Sequence, residues 1–497
     1  MSFRDAINYN CKKDPIRMAL AFLLQKFRHG VCQHTRAMVV TRCCVRNDLI
    51  YKGKNDRLLS LFGGKMFFCR LKTIIVFLII AGFFSHEACA ITLDEAIKRA
   101  LEISFLIKEQ KEVVKKTEYS YISTIDPYLP QADIYSSYVR SLNGKRSVSY
   151  LSGSSTSSRS GSRDAYTFDG SISYLLFDGG ERYARRKGAF FTKLREKERL
   201  QGVKNDVLYL VKTAYYTVLG NKSIVEKRKE AYDVAERVLV VTKGRYEAGV
   251  AKKSDILQSE VRMTTAKIEY MDAQREYEKT LAEFKSLLLY DPEDTQDVEG
   301  PLMEPQYNGD YRRLTERAIN VRPDVTAQKN EVERLNMAYR ERMSAWFPRI
   351  NAQLEQTRQD SRFFPEGRQE TFRVNLSWPL FDGVGRYYNM LGASSDIASA
   401  KYRLEEIKRT VGVEIIKAFK DYELSIQNVT LYGELVREAE SNFEQAFGEY
   451  KVGKGDILAL LQSERDLAKA KENLVGAISR ANTNLASLER VAYLSGE

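Results

Sequence analysis

Four short segments of the chain alternate between apolar and polar residues. Every second position from 168 to 176 is Phe, Gly, Ile, Tyr or Leu, with Asp and Ser among the residues between them. Similar alternation covers 350–355 and 372–380, and a weaker version follows Pro130. A period of two predicts β-strands with one apolar and one polar face. Such strands suit a membrane with water on one side, although any one alone also fits a soluble sheet.

Two long regions have helical spacing instead. None of the ten prolines lies in residues 131–291 or 380–497, and proline in a helix interior costs about 3 kcal/mol. Residues 180–247 alone predict a helix of ~100 Å at ~1.5 Å per residue. A leucine every seven residues, each followed three positions later by a small residue, predicts a closely packed coiled coil. These leucines are Leu460, Leu467 and Leu474.

The two halves of this region repeat one pattern. Upstream, Pro130 and Pro348 are 218 residues apart, whereas four later signatures recur at a constant offset of 204. The sequence therefore predicts two structural repeats, 91–290 and 312–497, joined by a linker at 291–311. The four signatures are Leu176-Phe177-Asp178-Gly179 with Leu380-Phe381-Asp382-Gly383, Arg182-Tyr183 with Arg386-Tyr387, Tyr246 and Gly249 with Tyr450 and Gly453, and residues 256–260 with 460–464.

Each repeat is predicted to contain a helix, two strands and a long helical hairpin, which makes the chain a mixed α/β membrane protein. The two tryptophans, Trp346 and Trp378, lie at or beside strand ends, as in an interfacial aromatic belt. Four strands cannot form a barrel, because every backbone N–H and C=O must be paired in lipid. Bacterial barrels usually have at least eight strands. Two copies of the chain would supply about eight strands and three about twelve, and the residue pattern leaves both open.

The placement of charge identifies a leader and removes nucleic acid as a partner. The net charge is +12, but residues 1–65 carry +9 and residues 66–90 carry +1, so only +2 remains from Ile91 onward. Residues 66–90 have a basic start, a short apolar run and Ala88-Cys89-Ala90, which together predict a signal peptide. Residues 1–65 are then expected to be an over-extended N-terminus.

Cysteine and histidine are confined to the same leading part. All six cysteines and all three histidines precede Ile91. The predicted mature chain therefore lacks thiol nucleophiles, Cys/His metal sites and histidine acid–base chemistry. An enzyme that uses only carboxylates stays formally open, but no motif supports one, and no cofactor or metal is predicted.

These duplicated motifs, taken in this order along the chain, resemble the TolC family of outer-membrane efflux proteins. The resemblance covers essentially all of 91–497, and it also rests on Thr92-Leu93-Asp94-Glu95-Ala96 and Asn320-Val321-Arg322-Pro323-Asp324. It implies a homotrimer with a twelve-stranded β-barrel in outer-membrane lipid. Long antiparallel coiled-coil helices would continue the barrel as an α-barrel tunnel through the periplasm. The partners it implies are a periplasmic adaptor (membrane fusion) protein and an inner-membrane pump.

The resemblance also assigns roles to residues. Family members carry rings of acidic residues just after the second hairpin turn, but Ala459 and Gln462 occupy those positions here. Asp255 and Asp456 are therefore the candidate pore or gate carboxylates, with helix capping as the alternative. The expected adaptor-docking tips are Tyr246 with Gly249 and Tyr450 with Gly453. The expected barrel-to-helix joints are Phe177, Asp178, Gly179, Phe381, Asp382 and Gly383.

The predicted function is a passive conduit of a tripartite export system, used for efflux or type I secretion. A structural or adhesive coiled-coil protein of the cell envelope, without a channel, is the alternative. The cargo stays open, since drugs, metal ions, metabolites and polypeptides all leave through similar ducts and the pump largely makes the choice.

Overall fold

The computed structural model describes residues 91–141, 163–291, 293–294 and 296–494, so the predicted signal peptide and residues 1–65 lie outside the described residues. Two sets of elements follow one another in the same order. The first set is α1 Leu93–Ile103, α2 Phe105–Ser123, β1 Gln131–Ser141, β2 Arg163–Phe177, α3 Glu181–Glu247 and α4 Lys253–Leu287. The second set is α5 Tyr311–Val321, α6 Pro323–Met343, β3 Arg349–Asp360, β4 Arg368–Ser377, α7 Gly385–Lys451 and α8 Ile457–Ala492.

The long helices follow the predicted repeat closely. Helices α3 and α7 each contain 67 residues, and both their first and last residues are 204 positions apart. At ~1.5 Å per residue each is ~100 Å long. Helix α5 begins at Tyr311, the last residue of the predicted linker. One pattern written twice has therefore produced two long hairpins of matching length.

The helices before the strands differ from the prediction. One helix was predicted before the strands of each repeat, and the structure has two helices there. The breaks lie at Ser104 (ψ 127°) and Arg322 (ψ 133°), which are equivalent at the 218-residue offset. Pro323 favours extended backbone at Arg322, because its ring clashes with a helical preceding residue. Ser104 adopts the same conformation without a following proline.

The four strands form one antiparallel sheet in the order β1-β2-β3-β4. Ile172 lies opposite Leu354, and Leu354 lies opposite Phe372. Directly opposite residues share a face, so the alternating apolar positions of neighbouring strands form one continuous apolar surface. This surface is open to its surroundings in a single chain, where Ile134 is 86% and Phe372 is 69% exposed. Among the described residues, β1 and β4 each pair with one neighbour only.

Among the apolar cores of the described residues, the two largest belong one to each repeat, and a smaller one joins the two repeats near the hairpin ends. Equivalent positions are buried in both, since Ala100 and Ala318 are 2% and 0% exposed. Within the described residues, no helix combines the length and apolar character needed to cross a bilayer. The first core includes Ile91, Val211, Tyr215, Phe284, Leu288 and Val298. The second includes Leu314, Val325, Val411, Ile415, Tyr422 and Leu488.

Candidate functional site at the joints and hairpin ends

The first Leu-Phe-Asp-Gly joint turns the chain from β2 into α3. Asp178 is buried and accepts hydrogen bonds from the backbone N–H groups of Gly180 (3.0 Å) and Arg182 (2.8 Å), which satisfies free donors at the start of α3. Gly179 has a φ of 66°, a conformation that disfavours any side chain. A Cβ added there would lie 2.7 Å from the Cβ of Phe347. Local geometry therefore requires both the aspartate and the glycine.

Arg182 ties this joint to the preceding turn and strand. Its Nε lies 3.0 Å from Oδ2 of Asp178. Its Nη1 donates to the carbonyl groups of Pro127 and Leu175 at 3.0 and 2.8 Å. The guanidinium also lies 4.9 Å from the centroid of the Tyr128 ring. One arginine thus holds the start of α3, the end of β2 and the turn before β1 together.

The second joint repeats these contacts at the predicted offsets. Arg386 Nε lies 2.6 Å from Asp382 Oδ1, and the guanidinium donates to the carbonyl groups of Ala345 and Pro379 at 2.9 and 2.7 Å. It lies 5.0 Å from the Trp346 ring. Each partner is displaced by 204 or 218 residues from its counterpart at the first joint. The two joints are therefore equivalent in their arginine contacts as well as in sequence.

Both Tyr-x-x-Gly segments are helix-reversal turns at the far ends of α3 and α7. The N–H of Gly249 donates to the carbonyl of Tyr246 at 2.9 Å, and Gly453 donates to Tyr450 at 3.1 Å. The two glycines have φ values of 76° and 86°, the left-handed conformation that commonly ends a helix. These turns lie a whole long helix away from the sheet.

The two turn tyrosines have different surroundings. Tyr246 is 44% exposed, whereas Tyr450 is 2% exposed and packs in a cluster with Val238 and Leu460. The Arg245 guanidinium lies 4.3 Å from the Tyr450 ring centroid, a cation–π contact between the two hairpins. Only the first tyrosine is therefore available at the surface of a single chain.

The two candidate gate carboxylates both cap helices in the structure. Asp456 Oδ2 accepts a hydrogen bond from the N–H of Leu458 at 3.2 Å. Asp255 Oδ2 accepts from the N–H of Lys252 at 3.1 Å, and its Oδ1 accepts from the Ser254 hydroxyl at 3.1 Å. These contacts match the capping alternative. A role in a gate stays a prediction.

A buried ion pair near the hairpin ends was missed by the sequence analysis. Arg262 of α4 contacts Glu464 of α8 through two hydrogen bonds, Nε–Oε2 at 2.7 Å and Nη2–Oε1 at 2.9 Å. The two side chains are only 6% and 2% exposed. Burial raises the pKa of Glu464, although Arg262 acts in the opposite direction. The repeat gave no signal for this pair, because Asp466 occupies the position equivalent to Arg262.

Comparison with known proteins gives a consistent family. The model of the outer membrane efflux protein family matches residues 96–288 and 314–492. The chain is 22% identical over 325 residues to the protein CyaE of Bordetella pertussis, covering 64% of this chain and 68% of that protein. It is 21% identical to the cobalt-zinc-cadmium resistance protein CzcC of Cupriavidus metallidurans, covering 63% and 74%.

Solved structures share the fold. The outer membrane protein VceC from Vibrio cholerae superposes with a TM-score of 0.69 at 16% identity, covering 80% of this chain and 95% of that one. The outer-membrane channel OprN gives a TM-score of 0.70 at 17% identity, covering 80% and 89%. Both likenesses extend over most of each chain, so the whole architecture is shared.

The match of the family model to both repeats confirms the sequence predictions at several levels. Outer membrane efflux proteins are passive channels and not enzymes, and they work as trimers with adaptor proteins and inner-membrane pumps. The predicted fold class, channel function, outer-membrane location and partner classes are confirmed, and the alternative without a channel is set aside. The family model covers well over half of the chain, which therefore belongs to the outer membrane efflux protein family.

Proposed function

We propose that three copies of this chain close into one conduit that crosses the outer membrane and continues through the periplasm. The proposal rests on the four-stranded sheet, in which β1 and β4 each have an edge unpaired by any described residue and the apolar face is exposed. In lipid a free edge must be paired with another strand. Three sheets would supply twelve strands, and the paired long helices of three copies would form the tunnel.

Single-channel recording on the detergent-extracted protein tests this proposal. We expect the protein to require detergent, to migrate as a trimer and to give stable conductance in a planar lipid bilayer. The same sample dissociated by heating should give none. A chain that stays in aqueous solution as a monomer and forms no channels would contradict the proposal.

We propose further that the two hairpin turns form the tip that docks the adaptor. Supporting this, apolar side chains are open at both turns, with Val250 63% and Val452 70% exposed. Val250→Arg and Val452→Arg are expected to weaken co-purification with adaptor proteins co-expressed from the source organism. Phe364→Arg, at the opposite end of the molecule, is the matched control. Equal recovery of adaptor with all three variants would overturn the docking role.

The candidate gate is proposed at Asp255 and Asp456. Asparagine can still cap a helix but carries no charge, so Asp456→Asn separates the two roles that the structure allows. If three copies of this carboxylate lie around the pore, the variant should lose cation selectivity while its thermal stability is unchanged. Asp456→Ala, which also removes the cap, should lower both. Unchanged selectivity in Asp456→Asn would remove Asp456 from the gate, and Asp255→Asn tests the other candidate in the same way.

The cargo is not part of the proposal. The relatives named above include a metal-resistance protein, and another protein that the chain matches is called an antibiotic efflux pump outer membrane protein. One architecture accompanies these different names. The residues of this chain therefore support a conduit and do not indicate a particular substrate.

A further inference from the structure

The start of α3, beside the first joint, carries a strong positive charge. Residues 181–199 contain eight Arg or Lys and three Glu, which gives a net charge of +5. The equivalent residues 385–403 of α7 contain three Arg or Lys and one Asp, which gives a net charge of +2. The two repeats therefore differ in charge just below the joints, although the arginine contacts of the joints are equivalent.

Most of these positive charges are neutralised within the chain. Five of the eight form ion pairs with carboxylates, namely Arg182, Arg185, Lys193, Arg195 and Arg199. The described residues supply no carboxylate partner for the other three, which are Arg186, Lys187 and Lys197. Arg186 and Lys187 are adjacent in the chain, so two unneutralised charges lie together near the start of the helix.

Aromatic rings hold both of these adjacent cations in place. The Arg186 guanidinium lies 4.8 Å from the centroid of the Tyr121 ring on α2, and its Nη2 donates to the Tyr121 hydroxyl at 3.4 Å. The Lys187 Nζ lies 5.6 Å from the centroid of the Phe190 ring. Such contacts orient a cation but leave its charge in place. Because a guanidinium has five N–H donors, Arg186 keeps donors for an acceptor outside the chain.

Lys187 lies on a face of α3 that is open near the sheet and covered farther along. Tyr183 and Phe190 lie four residues before it and three residues after it, a spacing that places all three on one side of the helix. The same spacing continues to Val211 and Tyr215, which are buried in the first core. Near the sheet, by contrast, Tyr183 is 53% exposed and Lys187 is also exposed. This part of the face is therefore accessible to a partner from outside the chain.

The position of Arg186 and Lys187 along α3 corresponds to the headgroup layer of a membrane. Arg186 is the sixth residue of the helix, so it lies ~8 Å beyond the helix start at ~1.5 Å per residue. Headgroups add ~5–8 Å on each side of a hydrocarbon core of ~30 Å, and long basic side chains can reach back to that layer. The helices extend into the periplasm, so the adjacent leaflet is the periplasmic one, which contains phospholipids.

We propose that Arg186 and Lys187 bind the phosphate of an anionic phospholipid in the periplasmic leaflet of the outer membrane. This inference rests on the proposed conduit, because it requires the sheet to span the membrane and this face of α3 to point away from the tunnel. The planar guanidinium binds two phosphate oxygens, and the Lys187 ammonium binds the same group as a point charge. The exposed ring of Tyr183, one turn nearer the sheet, lies where aromatic side chains contact the membrane interface.

The second repeat does not have the same pair of cations. The residues equivalent to Arg186 and Lys187 are Met390 and Leu391, which carry no charge. Tyr387, the equivalent of Tyr183, is 49% exposed, so the exposed aromatic residue is present at both joints but the cations at only one. Each chain should therefore bind one anionic phospholipid at this position, and a trimer should bind three.

Lipid binding to the detergent-extracted trimer tests the proposal. Native mass spectrometry counts bound phosphatidylglycerol, which is anionic, and bound phosphatidylethanolamine, which has no net charge. Each basic residue near an anionic membrane surface strengthens binding about fivefold. Arg186→Gln with Lys187→Gln should therefore weaken the binding of phosphatidylglycerol about thirtyfold and leave that of phosphatidylethanolamine unchanged. Arg186→Met with Lys187→Leu, which copies the second repeat, should have the same effect. The control is Lys408→Gln with Arg409→Gln, an adjacent pair of cations on α7 that form ion pairs within the chain and should not affect lipid binding.

Single-channel recording on the same variants separates a lipid site from a site inside the tunnel. Conductance and ion selectivity should be unchanged, because the two cations face the membrane. A variant with increased cation selectivity would place Arg186 and Lys187 in the tunnel and overturn the proposal. Unchanged binding of phosphatidylglycerol, an equal loss of both lipids, or an equal loss in the control would also overturn it. All of these outcomes leave the channel function standing, whereas a wild-type protein that forms neither trimers nor channels would overturn the proposed function itself.

Discussion

The two Leu-Phe-Asp-Gly joints have equivalent arginine contacts but different surroundings. At the first, Asp178 is 7% exposed and Gly179 lies against Phe347 of the second repeat. At the second, Phe381 is 86% exposed, and a Cβ on Gly383 would meet nothing within 4 Å. Contacts within a few residues therefore form the turn at each joint. The residues that bury the first joint come from the second repeat.

This difference shows how a duplicated chain can form a closed ring. Among the residues that the structure describes, the second repeat covers the first, but nothing covers the second in the same way. Within the described part of the chain, the open joint at Gly383 belongs to the second repeat, and the two unpaired strand edges are those of β1 and β4. Variants placed at equivalent positions of the two repeats should therefore differ in effect, and the size of each difference measures the local surroundings.

The largest difference is expected at the buried ion pair. Glu464→Gln removes the carboxylate that neutralises the buried Arg262 and leaves it the longer contact of 3.7 Å to Glu269, so it should cost about 3–5 kcal/mol of unfolding free energy. Glu260→Gln, at the equivalent position of the first repeat, removes a partly exposed ion pair and should cost less than about 1 kcal/mol. Denaturant unfolding of the detergent-solubilised protein measures both. Equal costs would show that Glu464 is not held as described.

Replacing both members of the buried ion pair shows whether the loss of stability comes from the lost attraction or from the charge that the single variant leaves unpaired. Arg262→Met with Glu464→Leu leaves no buried charge, and such exchanges are often neutral or stabilising. We expect the double variant to lie within about 1 kcal/mol of the wild type. A double variant as unstable as Glu464→Gln would mean that packing, and not charge, explains the single change.

The next largest difference is expected at the joint glycines. Gly179→Ala combines a positive φ with a Cβ 2.7 Å from the Ser344 carbonyl and should cost about 2–4 kcal/mol. Gly383→Ala has a φ of 93° but open space, and should cost about 1 kcal/mol in the single chain. Thermal unfolding of the monomer in detergent compares them. Similar losses would contradict the described cover at the first joint.

A smaller difference is expected between the joint aspartates. Asp178→Ala removes two hydrogen bonds to backbone N–H groups as well as the contact with Arg182, and about 2 kcal/mol should be lost. Asp382→Ala removes a side chain that is partly exposed and paired with Arg386, and about 1 kcal/mol or less should be lost. The same unfolding assay ranks the two. The reverse order would contradict the assignment of Asp178 as the helix cap.

The smallest effect on stability is expected for Asp297 in the linker, and it depends on pH. Burial acts to raise the pKa of Asp297, but hydrogen bonds from Lys222 and Tyr277 hold it below its ordinary value of 3.8. The ionised Asp297 therefore stabilises the fold at any pH above the pKa that this carboxyl has in the unfolded chain. This stabilisation is lost as the pH falls through the lower pKa that it has in the folded protein. Asp297→Asn should therefore cost about 1 kcal/mol at neutral pH and less in acid.

A matched contact lies between the linker and the second repeat. The Tyr422 hydroxyl donates a hydrogen bond to the Pro305 carbonyl at 3.2 Å. A carbonyl oxygen does not ionise near neutral pH, so this contact should not depend on pH. Tyr422→Phe should lower the midpoint of thermal unfolding by a similar small amount at every pH between 3 and 7. A loss that also fades in acid would show that the pH dependence does not come from Asp297.

Much of the fold could be predicted because the signals are local and repeated. Period-two alternation identified the strands. The offset of 204 identified two long helices that begin and end at equivalent residues. The helix break at Ser104 could not be predicted, because no proline or glycine marks it. The exposure of Tyr246 and burial of Tyr450 were also beyond reach, since the two residues occupy equivalent positions of one motif and differ only in what packs against them.

The sequence by itself determined the repeat, the two faces of the strands, and the turns at the joints and hairpin ends. These features depend on backbone conformation and on side-chain period, which are set within a few residues. Only the tertiary structure decided which of two equivalent residues is covered, and it paired Arg262 with Glu464 across 202 positions. Such contacts depend on how the helices lie against each other, and the spacing along the chain carries no record of that arrangement.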